Sequence, residues 1–304
     1  KHGSTMPTWL FDMWYPAKYD ISKINMMWHE NPKFLDNFKK IAPTLKRLYV
    51  TGGEPSIIKA NDDMINHLIE IGNKECHVSF TTNLTTWNMN LYDKLSFFDK
   101  SEVQVSIDGY KESQEYIRYG STWEDIDRNF KKLIELPDKV RIQIYNVFQV
   151  YNIFESHRIM KWLDSLDLQR EVAFWPIIID QPLHLRATVI PYHIRDKAKE
   201  LYRDFYDYTT YNNRYLDLHG AANKIISYLE SDWEAHGSYG KYCQGVEQTE
   251  ANQKYMFYQY TNFMDMVRGH NFFETFPQFE ELKKEFEEVL DWKLETPNWW
   301  EDDE

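Results

Sequence analysis

Between residue 47 and about residue 179, short β-like segments alternate with amphipathic helical segments. This alternation constrains the fold more than any other feature of the chain. A strand–helix–strand order at this spacing predicts a parallel sheet with right-handed crossovers, either open or closed into a barrel. The five predicted strands are Arg47–Thr51, His77–Thr82, Glu102–Ile107, Val140–Val150 and Val172–Ile179.

The clearest predicted helix lies between the third and fourth strands, at Trp123–Leu136, where Thr122 is a candidate N-cap. After Pro191 the pattern changes, because helical periodicity continues without further strand-like runs. Four helices are predicted in that part of the chain: His193–Tyr208, Ala221–Leu229, Glu250–Val267 and Phe279–Leu290. We therefore expect an α/β part followed by a mostly helical one.

Composition excludes several classes of function. The net charge of −13 opposes binding to a phosphate backbone, so nucleic acid is not an expected partner. No run approaches the roughly 18 apolar residues that span a membrane. The two cysteines, Cys76 and Cys243, exclude a disulfide scaffold and indicate a reducing compartment, so we expect a cytoplasmic protein. Cys76 and His77 are adjacent on a predicted strand and point to opposite faces, so we expect no zinc site there.

Small and polar residues cluster where the first three predicted strands end. The three clusters are Gly52-Gly53-Glu54-Pro55, Thr81-Thr82-Asn83 and Ser106-Ile107-Asp108-Gly109. Ligands of parallel α/β folds bind at the carboxyl ends of the strands. We therefore expect these three clusters to meet at one edge and to form a binding site.

The residue types at this edge suit a small zwitterion that carries a sugar. Two glycines let a ligand approach the backbone, and Glu54 can pair with an ammonium group. Pro55 fixes the turn. Short polar side chains such as Ser106 suit hydroxyl groups, and Arg118 suits a carboxylate. Each motif alone also fits a structural role, as a turn, a cap or, for Arg118, a surface ion pair.

Taken in order, these motifs resemble those of the radical S-adenosylmethionine (SAM) enzymes, in particular the branch with Twitch or SPASM-type C-terminal extensions. The resemblance runs from about Trp28 to Phe279, and RGHNFFETFPQF resembles the closing segment of the Twitch branch. YVTGGEP resembles the motif that holds the SAM amino group. SFTTNLT and VQVSIDGYKESQEYIRYG resemble the stretches around the next two strands.

The resemblance implies a set of SAM-binding residues. Ser106 and Asp108 would lie near the ribose, and Arg118 near the SAM carboxylate. The full set comprises Gly52, Gly53, Glu54, Pro55, Thr82, Asn83, Ser106, Asp108, Arg118 and Gln149.

The resemblance also implies a fold and a reaction. The fold is a partial (β/α)6 TIM-like barrel with a mostly helical C-terminal extension. Residues 1–190 would form the core, without its first strand and cluster loop, and residues 191–304 the Twitch-like cap. In the family, a reduced [4Fe–4S] cluster splits SAM, and the resulting 5′-deoxyadenosyl radical abstracts a hydrogen from substrate. A peptide or protein substrate and an electron donor such as a flavodoxin or ferredoxin are implied as partners.

One departure from the family pattern is serious. The family builds its cluster on a CxxxCxxC loop ahead of GGEP, and this sequence has methionines but no cysteine there. Thioethers are not ligands of such clusters. Since the sequence begins with Lys1, we expect that it starts just after the cluster loop. The alternatives are a degenerate relative that binds SAM or a peptide without catalysis, and an iron-free transferase that uses SAM or a nucleotide. We expect this chain alone to be catalytically inactive.

Overall fold

The computed structural model describes residues 28–166, 168–212, 216–232, 242–243, 246–247 and 249–289. Five strands form one parallel sheet in sequential order. They are β1 (Arg47–Val50), β2 (His77–Thr82), β3 (Ser101–Ser106), β4 (Val140–Phe148) and β5 (Val172–Ile178). Each corresponds to a predicted strand with ends shifted by at most two residues.

The strand order never reverses along the sheet. Because parallel crossovers are right-handed, an order of this kind places the connecting helices on one face and leaves the other face for the inside of a barrel. A doubly wound sheet would instead contain a reversal point. The predicted α/β fold of the partial-barrel type, followed by a helical region, is confirmed.

The helices continue the pattern expected from the sequence, with some differences. They are α1 (Pro32–Ile41), α2 (Lys59–Glu70), α3 (Met89–Lys94), α4 (Glu112–Ile117), α5 (Trp123–Leu133), α6 (Ser156–Ser165), α7 (Tyr192–Asn212), α8 (Leu216–Leu229), α9 (Glu250–Arg268), α10 (Phe272–Thr275) and α11 (Lys283–Val289). None of the described helices is both long and apolar enough to cross a membrane.

Several helices differ from the sequence prediction: α4 and α10 were not predicted, and α8 begins at Leu216, before the predicted start at Ala221. Helix α1 was not predicted, although Asn31 caps it by accepting a hydrogen bond from the backbone N–H of Lys33 at 3.0 Å. The single helix predicted over Phe279–Leu290 is wrong, because a 3₁₀ segment at Pro277–Leu282 precedes α11. Segment 235–248, whose glycine and polar residues favour a loop, lies largely outside the described residues. Within it, Tyr242–Cys243 and Val246–Glu247 pair antiparallel.

The two faces of the sheet have different chemistry because side chains alternate along each strand. One face is apolar and buried, with residues such as Phe80, Val103 and Ile144 in the main core. We call the opposite side the polar face. Its members include Tyr49, Ser79, Thr81, Glu102, Gln104, Arg141, Gln143, Tyr145 and Trp175. A partial barrel with a polar inner face can accommodate ligands there.

The C-terminal helices pack onto the barrel through aromatic residues and one half-buried carboxylate. Asp265 in α9 accepts hydrogen bonds from the Tyr116 hydroxyl at 2.8 Å and from the backbone N–H of Phe272 at 2.7 Å. Arg268 donates to the carbonyl of Tyr116 at 3.1 Å. Because α4 ends one residue before Arg118, the C-terminal region holds the turn that carries Arg118.

Candidate functional site

The turn after β1 requires its two glycines. Gly52 has φ of +92° and Gly53 φ of +56°, and residues with a Cβ rarely adopt such values. A Cβ built on either residue would point into open space. Within the described part of the chain, neither glycine forms a backbone hydrogen bond. Among the described residues, the turn therefore presents amide and carbonyl groups that have no backbone partner.

Glu54 follows these glycines and is buried, with an exposed fraction of 8%. Its carboxylate accepts hydrogen bonds from the backbone N–H groups of Ser56 at 3.1 Å and Asn83 at 2.9 Å. The Thr82 hydroxyl donates to both carboxylate oxygens at 2.9 Å. These three donors occupy most of the lone pairs of the carboxylate. Glu54 therefore ties the turn after β1 to the end of β2, and its contact with an ammonium group stays a prediction.

At the end of β2, the Asn83 side chain is partly exposed, whereas the Thr82 side chain is buried. The Thr82 side chain is buried, and its oxygen also accepts from the backbone N–H of Leu84 at 2.9 Å and from the Tyr92 hydroxyl at 3.2 Å. Asn83 is half-buried, and its Oδ1 accepts from the N–H and the hydroxyl of Thr85. The Nδ2 group of Asn83 has no partner among the described residues.

A buried ion pair lies after β3. The Asp108 carboxylate accepts from Arg118 Nε at 2.7 Å and from the backbone N–H of Val147 at 2.7 Å. Burial raises the pKa of Asp108, and the charge of Arg118 and the bond from Val147 oppose this effect. The Nε atom of Arg118 is thus anchored, while the side chain as a whole remains 31% exposed. Anchoring of this kind prepares Arg118 to bind a carboxylate.

Gly109 has a steric role in the same turn. A Cβ on Gly109 would lie 2.6 Å from the backbone nitrogen of Gln114, at the start of α4. The Gln114 side-chain oxygen accepts from the backbone N–H groups of Asp108 and Gly109, both at 2.9 Å. The Asp-Gly pair is thus a close-packed turn, as one of the two sequence interpretations predicted.

Asn152 is a site residue that the sequence analysis missed. Its Nδ2 donates to the carbonyls of Asp108 and Val147, both at 2.8 Å, and its Oδ1 accepts from the backbone N–H of Gln149 at 2.7 Å. Gln149 is buried, so it braces this part of the edge. The sequence signal for Asn152 was an asparagine just beyond a strand. This signal is too common to identify Asn152 as a site residue.

The three motif turns meet at one edge of the sheet. Glu54 contacts Thr82 and Asn83 directly, and Thr82 is in register with Val105, the residue before Ser106. The predicted residues then divide by exposure. Those with solvent-accessible surface are Gly52, Gly53, Asn83, Ser106 and Arg118, whereas those that are buried are Glu54, Pro55, Thr82, Asp108 and Gln149.

A cluster site is not present in the described part of the chain. No three of its His, Cys, Asp or Glu side chains come together as metal ligands. Cys76 is fully buried in the core, and burial raises the pKa of its thiol. With two cysteines in the whole sequence, these residues do not fit a [4Fe–4S] cluster, which needs several thiolate ligands.

Comparison with known proteins identifies the family of one part of the chain. Residues 22–163 match the family model described as the radical SAM superfamily. This part of the chain belongs to the radical SAM superfamily. The radical SAM match includes every motif turn described above and ends within α6. No curated protein sequence matches the chain significantly.

Among solved structures, two crystal structures of Streptococcus suis SuiB resemble this chain. SuiB bound to S-adenosylmethionine is 16% identical and matches with a TM-score of 0.40. The other SuiB structure is 15% identical and also has a TM-score of 0.40. Each match covers 59% of this chain and 41% of SuiB, so the chain spans less than half the length of the SuiB structures it matches.

Proposed function

We propose that the edge formed by the three motif turns binds SAM, and that the chain is the SAM-binding part of a radical SAM enzyme. The observation that carries this proposal is the convergence of two positive-φ glycines, the Glu54 tie and the anchored guanidinium of Arg118. In this arrangement the open carbonyl groups of Gly52 and Gly53 receive the SAM ammonium group. Arg118 pairs with the SAM carboxylate, and Ser106 donates to a ribose hydroxyl.

The residues present fit SAM because the exposed groups match its polar ends. The buried groups fix the positions of these exposed groups. SAM bound there supplies the adenosyl group that, in this superfamily, abstracts hydrogen from a substrate. The chain binds and orients the cofactor, and the polar face extends from the same edge to receive the substrate. We propose a peptide or protein as that substrate. This part of the proposal is based only on the resemblance of RGHNFFETFPQF to the closing segment of the Twitch branch.

Isothermal titration of the full chain with SAM tests the proposal. We expect saturable binding at one site, which Ser106→Ile weakens because a larger apolar side chain fills the edge and removes the hydroxyl. Thr44→Ile is the matched control, since Thr44 is exposed and precedes the opposite end of β1. Absence of SAM binding, or equal loss in both variants, would exclude this edge as the cofactor site.

A second function, SAM binding without catalysis, is favoured by the two-cysteine sequence. Anaerobic incubation with iron and sulfide, followed by iron analysis and visible spectroscopy, addresses it. We expect a colourless, iron-free chain that still binds SAM. Stoichiometric iron with thiolate charge-transfer absorption would contradict the absence of a cluster site in this chain.

A further inference from the structure

A cavity of about 570 Å³ opens on the polar face beside β4 and β5. Arg141, Gln143, Ala173 and Trp175 line it, and these four residues occupy alternate positions on two adjacent strands. Loop residues at the amino ends of the strands, including Asp138 and Glu171, form its far end. The cavity therefore runs along the strands, on the side of the sheet that faces the barrel interior.

The cavity approaches the proposed SAM edge along one row of the sheet. Trp175 is in register with Tyr145, and Tyr145 is in register with Ser106. One end of the cavity thus reaches the row of residues that contains the candidate ribose contact. A molecule that occupied the cavity would extend from this row toward the amino ends of the strands.

Arg141 is an exposed cation that has no counter-ion among the described residues. Its cross-strand neighbour is Glu102, yet the Glu102 carboxylate accepts from Gln143 Nε2 at 2.6 Å and lies 3.6 Å from His77 Nε2. Arg141 forms no hydrogen bond or ion pair with any residue in the described ranges. Because the neighbouring Glu102 carboxylate is already paired, the Arg141 guanidinium is available for an anionic ligand group.

Trp175 adds an apolar surface to the same cavity. Half of its surface is exposed, which is unusual for the largest aromatic side chain on an inner sheet face. Arg170 also lines the cavity but donates to the carbonyls of Ile134, Leu136 and Val140, and Asp138 and Glu171 place two carboxylates at the far end. Among the described residues that line the cavity, Arg141 is therefore the cation without a partner and Trp175 the exposed indole. This combination fits an extended ligand that has a carboxylate at one end and apolar groups along its length.

We infer that this cavity binds the substrate of the proposed radical SAM enzyme, with Arg141 pairing to a substrate carboxylate and Trp175 packing against an apolar group. This inference rests on the proposed function. Arg141 and Tyr145 are four residues apart on β4, which corresponds to about 13 Å along a strand. We therefore expect about 13 Å between the substrate carboxylate and the substrate atom that reacts beside the SAM edge. This distance equals about four residues of an extended peptide.

The test uses an N-acetylated tetrapeptide, Ala-Leu-Ala-Leu, as a probe in two forms, with a free C-terminal carboxylate and with a C-terminal amide. Binding to the full chain is measured by isothermal titration. We expect the carboxylate form to bind at least about tenfold more tightly, as a charge-assisted pair would give. Arg141→Gln is expected to abolish this difference, and Trp175→Ala to weaken both forms.

Arg47→Gln is the matched control. Arg47 is also exposed on the polar face, but it lies on β1 at the opposite side of the sheet. Equal binding of the two peptides, tighter binding of the amide, no binding of either, or equal effects of both arginine variants would each overturn the inference. SAM titration of the same samples separates the two proposals. If the chain binds SAM but shows no preference for the carboxylate peptide, the substrate-site inference is refuted and the SAM-site proposal stands. Carboxylate preference without SAM binding removes the proposed cofactor site instead.

Discussion

The replacement Glu54→Gln tests whether the carboxylate after the two glycines holds the edge together. Glutamine keeps the shape of the side chain but replaces one acceptor oxygen with an amino group. That group would face either the N–H of Asn83 or the N–H of Ser56, each of which now donates to the carboxylate. Thr82 cannot compensate fully, because its oxygen already accepts from Leu84 and Tyr92.

The expected cost follows from these contacts. One buried N–H without an acceptor costs about 1–3 kcal/mol, and loss of the negative charge weakens the remaining bonds by about 1 kcal/mol. The free energy of unfolding should therefore fall by about 2–4 kcal/mol. With an unfolding entropy of about 2.1 cal/mol/K per residue, the melting temperature of a chain of this size should fall by about 3–6 °C.

Thermal unfolding followed by circular dichroism measures this change, and Glu75→Gln provides the control. The Glu75 side chain is 72% exposed and pairs with Lys46 at the surface, so its replacement should change stability by less than about 1 kcal/mol. SAM titration of both variants adds a second measurement. Weaker SAM binding by Glu54→Gln at unchanged stability would refute the assignment, because it would show that the carboxylate binds the ligand and does not support the fold.

Three further predictions concern other parts of the structure. Burial lowers the pKa of His157 to about 4, so its contribution to stability is present above about pH 6.5 and is lost as pH falls toward 4. Between pH 7 and pH 5, the free energy of unfolding should fall by about 2 kcal/mol less in His157→Gln than in the parent chain. Denaturant unfolding at the two pH values measures this difference, and equal falls would contradict it. Gly109→Ala should destabilise by about 3 kcal/mol through its clash with α4, whereas Gly220→Ala, in an open helical position, should be neutral or slightly stabilising in the same assay. Arg118→Gln should weaken SAM binding at least about tenfold by titration calorimetry, while Arg128→Gln on the α5 surface leaves it unchanged, and equal affinities would remove Arg118 from the site.

The strands and the turn after β1 could be predicted from the sequence because their signals are local. Alternating apolar residues specify a strand over a few positions, and two consecutive glycines indicate left-handed backbone at one place. Helix α1 was missed although its signals are present in the sequence. Asn31 caps it, Pro32 opens it, and its apolar residues Phe34, Leu35, Phe38 and Ile41 recur at helical spacing. The 3₁₀ segment before α11 was missed because helical periodicity does not distinguish it from an α-helix over one or two turns.

The convergence of the motif turns was also predictable, since the carboxyl ends of parallel strands lie at one edge. The partners of the individual side chains were not. Glu54 and Thr82 are 28 positions apart, and Asp108 and Val147 are 39 positions apart. Which polar residue faces the ligand and which faces another turn depends on side-chain directions that are set by packing. The sequence therefore indicated the right edge, but it did not separate supporting residues from exposed ones.

That separation has a physical origin. Three polar turns at one edge expose many backbone N–H and carbonyl groups, and those that are buried must be paired within the protein. Glu54, Asp108 and Asn152 supply this pairing, and each connects two strand ends. Only the groups left over can bind a ligand, namely the backbone at Gly52 and Gly53 and the side chains of Asn83, Ser106 and Arg118. Replacement of a supporting residue should thus change stability and SAM binding together, whereas replacement of an exposed side chain such as Ser106 should change binding alone. Arg118 belongs to both groups, because it also pairs with the buried Asp108. A supporting residue whose loss affected binding alone would place it among the ligand contacts and would show that the edge is held together in another way.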